Sequence, residues 1–218
     1  MRTPLPFLTL AVLAALIATP HGIRAQQVGI QGGLNRAGIQ GDAPPNAQYT
    51  GGFGYMVGIV FDLPIATDVF LSFQPMYAVR GTGIAFAVEG EEEPRDSLDV
   101  ALTYVSVPLL AKVRAAHGRT YVTGGLDVGW LLDATLSGRG PDEDIASVFE
   151  DLDVAALFGF GVVFPIGRPQ LTLEARYAQS LLDLSAGGET PDGAALPERF
   201  RVNGFQLLTG LVIPLGGR

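Results

Sequence analysis

The chain has 218 residues, of which 48% are apolar, and it contains 29 glycines, 15 prolines and no cysteine. Its 14 basic and 22 acidic residues give a formal net charge of −8, which excludes nucleic acid as a partner because phosphate binding needs a basic face. The lack of cysteine excludes disulfide scaffolds, thiol nucleophiles and thiolate zinc sites. A large soluble core and a membrane protein both fit so high an apolar content, and the placement of the apolar residues decides between them.

The first predicted element is a secretory signal peptide over residues 1–25. Arg2 precedes an apolar run from Leu5 to Ala18 that is too short to span a bilayer comfortably, and Ala25 is a small residue suited to cleavage. A single uncleaved anchor helix is the alternative. Cleavage leaves residues 26–218 as one domain of 218 − 25 = 193 residues, with a charge of −8 − 2 = −10 because Arg2 and Arg24 are removed. We expect export in a bacterial cell.

Beyond residue 26 no apolar run approaches the roughly 20 residues that a membrane-spanning helix needs. Apolar residues instead alternate with small or polar ones, which indicates β-strands, and this pattern recurs eight times. The predicted strands are Gln26–Asn35, Gly51–Asp62, Thr67–Val88, Asp99–Ala115, Arg119–Asp133, Leu152–Phe164, Pro169–Leu184 and Phe200–Leu215.

The predicted connections alternate in length. The short ones carry the Pro or Gly of tight turns, and they are Leu63–Ala66, Ala116–Gly118 and Pro165–Arg168. The long ones are polar, and with their immediate flanks they hold 16 of the 22 acidic residues: Arg36–Thr50, Glu89–Leu98, Ala134–Asp151 and Ser185–Arg199. This layout predicts an all-β fold, an eight-stranded antiparallel up-and-down transmembrane β-barrel with short periplasmic turns and four long outer loops.

The strands have one bulky apolar face and one face of Gly, Tyr, Ser and a few charges. A soluble lipocalin-like periplasmic barrel would turn the apolar face inward to bind a ligand, whereas a membrane barrel turns it outward. An Arg or Lys at the lipid midplane costs ~2–4 kcal/mol, so the confinement of charge to one face favours the membrane barrel. Trp130 near the long loops, with Phe61 and Phe164 near the short turns, suits aromatic girdles.

Four stretches resemble the PorT-type outer-membrane β-barrel domain family, whose members also share the size of OmpX and of the OmpA barrel. They are Gly29-Ile30-Gln31-Gly32-Gly33-Leu34-Asn35, Gln74-Pro75-Met76-Tyr77 with Arg80-Gly81, Tyr104-Val105-Ser106-Val107-Pro108-Leu109-Leu110-Ala111-Lys112, and Leu173-Glu174-Ala175-Arg176-Tyr177. The resemblance implies an eight-stranded barrel in the outer membrane but no single activity. Family members often carry an acidic residue where this chain has Met76 and Ser106, and they commonly end on an aromatic residue, whereas this chain ends Leu215-Gly216-Gly217-Arg218.

The alternation places a polar network inside the predicted barrel. Its members are Arg80, Lys112, Arg114, Asp127, Glu174, Arg176, Tyr104 and Tyr121, so four cations and two anions give the lumen a predicted charge of +2. A plug of salt bridges and hydrogen bonds is favoured over an anion path, because eight-stranded barrels are only wide enough to be filled by their own side chains. Pro75 and Pro108 have no backbone N–H to donate to a neighbouring strand. A bulge at either proline would reverse which of the residues beyond it point into the lumen, so both assignments are left open for those residues.

No catalytic site and no cofactor are predicted. His117, the one histidine of the mature chain, falls in a short turn, away from any serine or acid partner. The acidic clusters Glu89-Glu91-Glu92-Glu93 and Asp142-Glu143-Asp144 match no defined cation loop and are interpreted as solvated loop tips. The expected partners are outer-membrane lipids and lipopolysaccharide, the outer-membrane assembly machinery and an unidentified envelope protein. The predicted function is that of a structural or interaction barrel, with a narrow channel for small, anionic solutes as the alternative.

Overall fold

The computed structural model describes residues 26–40, 47–86, 96–138, 143–146, 149–182 and 201–215. The predicted signal peptide and most of the predicted long loops, including the acidic cluster at 89–93, lie outside these ranges. The described chain forms ten strands: β1 Gln27–Gln40, β2 Ala47–Ala66, β3 Val69–Phe73, β4 Met76–Phe86, β5 Asp96–Arg114, β6 Thr120–Ser137, β7 Glu143–Asp144, β8 Leu152–Pro165, β9 Gln170–Ser180 and β10 Arg201–Pro214.

The strands form one antiparallel sheet that closes into a ring, because β1 pairs with both β2 and β10. β3 and β4 occupy one position in the ring, since both pair with β2 on one side and with β5 on the other. The ring therefore has eight positions, in the order β1, β2, β3 with β4, β5, β6, β8, β9 and β10. This confirms the predicted all-β up-and-down barrel.

The third predicted strand is wrong as a single element, because it breaks at Gln74 and Pro75. Pro75 has no N–H to donate to the ladder. The backbone groups at the break are still bonded, since Ile59 N–H donates to Pro75 O and Gln74 N–H donates to Pro108 O, each at 3.0 Å. The break does not invert the alternation, because Ser72, Gln74, Met76 and Arg80 all remain buried.

Several predicted ends are wrong. β9 ends at Ser180, before the predicted end at Leu184, whereas other strands run further than the sequence pattern indicates. β1 continues to Gln40 and β2 begins at Ala47, both inside the predicted loop Arg36–Thr50. β2 also continues through the predicted turn Leu63–Ala66, and the turn lies at residues 67 and 68. The other two short turns lie within one residue of their predicted bounds, and Gly118 and Gly167 adopt φ of +69° and +75° there, a conformation that favours glycine.

One irregularity, in β6, does reverse which residues of a strand point into the lumen. The register between β5 and β6 shifts between Thr103 and Tyr104, whose partners are Asp133 and Leu131, so Leu132 is an extra residue in β6. Before it, odd-numbered residues of β6 such as Asp127 point inward, and after it Ala134 does. Pro108 causes no such change, because Ser106, Leu110 and Lys112 on either side of it are all buried.

The outer surface of the ring is apolar. On β8, for example, Phe158, Phe160 and Phe164 are 64%, 54% and 51% exposed, whereas Ala155, Leu157 and Val163 point into the interior and are buried. The same alternation recurs on the other strands, with large apolar side chains outside and polar, small and some apolar side chains, such as Leu110 and Leu208, inside. The soluble lipocalin-like alternative, which needs the apolar face inside, is therefore wrong.

Candidate functional site in the barrel lumen

All eight residues of the predicted polar network lie on the inner face of the barrel wall. Seven are buried, and Arg114 is half-buried at the short-turn end. They belong to three layers stacked along the lumen. We call these the loop-side layer (Arg80, Tyr104, Asp127 and Asp153), the middle layer (Tyr121, Glu174 and Arg176) and the turn-side layer (Asp62, Lys112 and Arg114).

In the loop-side layer one guanidinium holds two carboxylates. Arg80 Nη1 donates to Asp153 Oδ2 at 2.5 Å, and Arg80 Nη2 donates to Asp127 Oδ2 at 3.3 Å. The second oxygen of each carboxylate accepts a hydroxyl hydrogen bond, from Ser106 Oγ to Asp127 at 2.6 Å and from Ser180 Oγ to Asp153 at 2.7 Å. Strands β4, β5, β6, β8 and β9 are thereby joined across the lumen.

The Arg80 guanidinium also stacks 4.7 Å from the centre of the buried Tyr104 ring. A cation over an aromatic face gains electrostatic attraction from the ring quadrupole, more so when both groups are desolvated. Tyr104 thus belongs to the loop-side layer through its ring.

In the middle layer Glu174 accepts three hydrogen bonds. Arg176 Nε donates to Oε1 at 2.5 Å, Thr123 Oγ1 donates to Oε1 at 2.8 Å, and Tyr121 OH donates to Oε2 at 2.8 Å. Arg176 continues across the lumen, since its Nη2 donates to Gln74 Oε1 at 2.7 Å. The ion pair between neighbours on β9 is thus tied to the opposite wall.

Glycines on β8 make room for the middle layer. A Cβ on Gly161 would overlap the Tyr121 ring, and a Cβ on Gly159 would lie 2.8 Å from Arg176 Cγ. These two positions face the lumen, so the space that their missing side chains leave is filled by the long side chains of β6 and β9. The glycine-rich inner face noted in the sequence therefore serves close packing inside the barrel.

The turn-side layer contains a buried ion pair, because Lys112 Nζ donates to Asp62 Oδ2 at 2.7 Å. Arg114 is held differently: its Nη2 donates to Gln27 Oε1 at 2.8 Å, and its guanidinium lies 4.6 Å from the centre of the Phe70 ring. No described carboxylate forms an ion pair with Arg114. This layer is closest to the chain ends of the barrel, since Gln27 begins β1.

The predicted lumen charge of +2 is wrong because two carboxylates were missed. Asp62 and Asp153 are each 1% exposed and point inward, so the lumen layers hold four cations and four anions. Both lie at a predicted strand end, where side-chain direction is hardest to assign. The alternation of side chains along each strand could have placed both carboxylates inside. By that alternation Asp62 shares the inner face with Val60, and Asp153 shares it with Gly159 and Gly161. The described lumen is therefore neutral.

An apolar cap closes the lumen at the long-loop end. Its buried members are Ala37, Val100, Leu102, Tyr104, Ala134, Ile145 and Val202, with Leu131, Leu136, Ala146 and Phe149 packed against them. Ile145 comes from the connection after β6, and its N–H donates to Ala134 O at 2.8 Å, which holds this segment over the mouth. The sequence interpretation assigned this connection to a solvated loop and missed Ile145.

A small cavity lies between the loop-side layer and the apolar cap. It has room for about one water molecule, and its lining includes Asn35, Arg80 and Gln206 on the polar side and Ala178 and Val202 on the apolar side. Within the described residues, Asn35 Oδ1 is buried without a hydrogen-bond partner. Buried polar atoms of this kind are commonly satisfied by water.

Groups with catalytic or metal-binding potential are sparse in the described residues. His117 is exposed in its turn, where its Nδ1 accepts a hydrogen bond from Arg119 N–H at 3.1 Å. No described group of three or more His, Asp or Glu residues is placed to hold a metal ion. No helix in the described part of the chain is long and apolar enough to cross a membrane.

A closed antiparallel ring that is apolar outside and polar inside defines an outer-membrane β-barrel protein. Residues 19–186 match the family described as outer membrane protein beta-barrel domain, and the chain belongs to this family. The protein is therefore located in the outer membrane. No curated protein matches the chain.

Solved structures of outer-membrane proteins share the fold. OprG from Pseudomonas aeruginosa is 11% identical, with a TM-score of 0.53 over 90% of this chain and 99% of that one. AlkL, determined in DMPC lipid bilayers, is 13% identical, with a TM-score of 0.50 over 100% and 98%. Ail of Yersinia pestis, in complex with the heparin analogue sucrose octasulfate, is 16% identical, with a TM-score of 0.46 over 86% and 99%. At these identities the likeness to OprG and AlkL concerns the fold alone.

Proposed function

We propose that this outer-membrane protein is a closed barrel that acts in structure or interaction at the cell envelope, with its acidic loops directed outward. The observation that carries the proposal is that the lumen holds a buried ionic group at each of three levels: Arg80 with two aspartates, Glu174 with Arg176, and Lys112 with Asp62. Opening a path requires these pairs to separate, and removing one partner of a buried ion pair costs on the order of 3–5 kcal/mol.

The apolar cap supports the same proposal. Ions and polar solutes entering from the long-loop end would first meet apolar side chains, among them Ile145 and Val202, which offer no hydrogen bonds. A barrel with eight wall strands leaves little room beyond its own side chains. The cap and the ionic layers together make a continuous water path costly.

The purified protein is expected to show no steady conductance in planar lipid bilayers. A variant with a trimmed middle layer, Glu174→Ala with Arg176→Ala, removes one anion and one cation together and is expected to admit measurable currents. Single-channel recording of both proteins is the measurement. The matched control is Leu173→Ala with Tyr177→Ala, because these residues lie on the same strand but on its outer face.

If the wild-type and control proteins show no current and the Glu174→Ala with Arg176→Ala variant conducts, the result supports a lumen closed by its own side chains. Reproducible channels in the wild-type protein would contradict the closed barrel and favour the alternative, a narrow channel for small solutes. The cavity above Arg80 and the partnerless Asn35 Oδ1 favour that alternative, since they are sites where water could enter. The equal numbers of lumen cations and anions offer no basis for anion selectivity.

Membership of the PorT-type group within the family is part of this proposal. It is supported by the motifs that surround Arg80, Lys112 and Glu174, three residues that belong to the three lumen layers. Assembly into the membrane by the outer-membrane machinery is also proposed, on the apolar C-terminal spacing of Gly210, Ile213 and Leu215.

Export is expected to remove residues 1–25, so the mature protein should begin at Gln26. Intact-mass spectrometry of the protein from an outer-membrane fraction checks this, and an Ala25→Tyr variant, with a bulky residue at the cleavage position, is expected to accumulate uncleaved. Recovery of wild-type protein that still begins at Met1 in the mature barrel would contradict the signal peptide and favour the uncleaved anchor.

A further inference from the structure

Charged side chains on the outer face of the barrel wall have an uneven distribution. On the strands of the eight-position ring, among residues whose side chains are described, they are Arg36 on β1, Arg201 on β10, Asp99 on β5 and Asp133 on β6. All four lie toward the long-loop end. β1 and β10 are neighbours, as are β5 and β6, and in the eight-position ring these two pairs are on opposite sides. The rim thus has a basic seam and an acidic seam.

The basic seam is built around Arg36. Its cross-strand neighbours are Phe53 on β2 and Phe205 on β10, so the three side chains form a row across β2, β1 and β10. The guanidinium carbon lies 5.6 Å from the centre of the Phe53 ring. Phe53 and Phe205 are 74% and 69% exposed, the highest values among the large apolar side chains of the described chain. No described carboxylate forms an ion pair with Arg36.

The row marks the edge of the apolar band. Below Arg36, the outward residues of β1 include Leu34 and Ile30, which are 60% and 66% exposed. Above Phe205, the outward residues of β10 are Asn203 and Arg201. Aromatic rings concentrate where the hydrocarbon meets the headgroups, so the guanidinium of Arg36 lies at the depth of lipid headgroups.

We propose that the basic seam binds the phosphate groups of an anionic glycolipid of the outer leaflet, of the lipopolysaccharide type. Arg36 contacts one phosphate and Arg201 contacts a second, while the exposed rings of Phe53 and Phe205 pack against the acyl chains. Guanidinium groups suit this role because their planar N–H donors can form two parallel hydrogen bonds to two oxygens of one phosphate. Arg36 and Arg201 are separated by four residues of register, roughly 13 Å at about 3.3 Å per residue, which suits two phosphates on one disaccharide.

The acidic seam makes the proposed contact one-sided. Asp99 and Asp133 are exposed at the same end of the barrel and repel phosphate, so the glycolipid is retained on the β1 and β10 side alone. The site lies outside the lumen, and it does not depend on whether the barrel conducts.

The test uses the full mature protein in detergent micelles, titrated with bisphosphorylated lipid A, with retained lipid counted by native mass spectrometry. The variant Arg36→Gln with Arg201→Gln is expected to bind about 30-fold more weakly, because each cation beside anionic lipid contributes about five- to sixfold. The matched control is Arg119→Gln with Arg168→Gln, which removes the same charge from exposed turns at the other end and should bind as the wild type does.

A second arm uses lipid A from which both phosphates have been removed. The wild-type protein and the Arg36→Gln with Arg201→Gln variant are expected to bind it equally and weakly. Equal binding of bisphosphorylated lipid A by wild type and variant would overturn the proposal, as would equal affinity of the wild type for both lipids. Lipid-free dimers that the variant abolishes would also overturn it, in favour of contact between copies.

Heat-modifiable gel migration verifies that each variant is folded. Should the double variant fail to fold, Arg201→Gln alone keeps the test available, since this residue lies above the apolar band. Its expected effect is about a fivefold loss, and no loss would overturn the contact proposed for Arg201.

Discussion

Replacing Arg80 by alanine is expected to lower the free energy of unfolding by about 3–5 kcal/mol. The variant leaves Asp127 and Asp153 facing each other in a buried layer with no cation between them. It also removes the cation that stacks on Tyr104. Urea unfolding in phospholipid vesicles measures the loss, with Trp130, the single tryptophan of the chain, as the fluorescent reporter.

Two variants separate the charge effect from a general effect of losing an arginine. Arg80→Met with Asp127→Asn and Asp153→Asn removes all three charges, and it is expected to recover most of the stability because no unpaired buried charge remains. Arg119→Ala removes an exposed arginine from a turn and should change the free energy of unfolding by no more than about 0.5 kcal/mol. An Arg80→Ala protein as stable as wild type would contradict the ionic layer.

Replacing Phe160 by arginine is expected to destabilise the folded barrel by about 2–4 kcal/mol. Phe160 lies near the middle of β8 on the outer face, where 54% of its side chain is exposed to the surrounding medium. In lipid this position would force a guanidinium into hydrocarbon. The same urea titration in vesicles gives the difference in free energy of unfolding.

Ile166→Arg is the matched control for this change. Ile166 is also a large apolar residue, 56% exposed, but it lies in the turn after β8, where water and headgroups solvate a cation. We expect its variant to unfold within about 0.5 kcal/mol of wild type. Equal stability of the Phe160→Arg and Ile166→Arg proteins would show that the middle of β8 does not face hydrocarbon.

Much of the fold was predictable because side chains on a strand alternate between two faces. The pattern around Glu174 and Arg176 on β9, or around Lys112 on β5, depends on neighbours within a few residues, so it can be read from the chain itself. Strand ends were less predictable, as at Leu63–Ala66, because pairing with a neighbouring strand extends a strand beyond its local pattern. The break at Pro75 was foreseeable because proline has no backbone N–H to donate. That the inward and outward alternation continues across the break was not, because it depends on the backbone hydrogen bonds that Pro108 and Ile59 supply.

The sequence by itself determined the closed antiparallel barrel, the direction of its apolar face and most of the charged residues that point inward, but not Asp62 and Asp153. The tertiary structure alone decided their partners. Arg80 and Asp153 are 73 residues apart, and Arg176 and Gln74 are 102 apart. Contacts across a lumen depend on strand register, which irregularities such as the extra Leu132 alter without a strong local signal. For the same reason the apolar cap that Ile145 completes emerges only once the ring is closed.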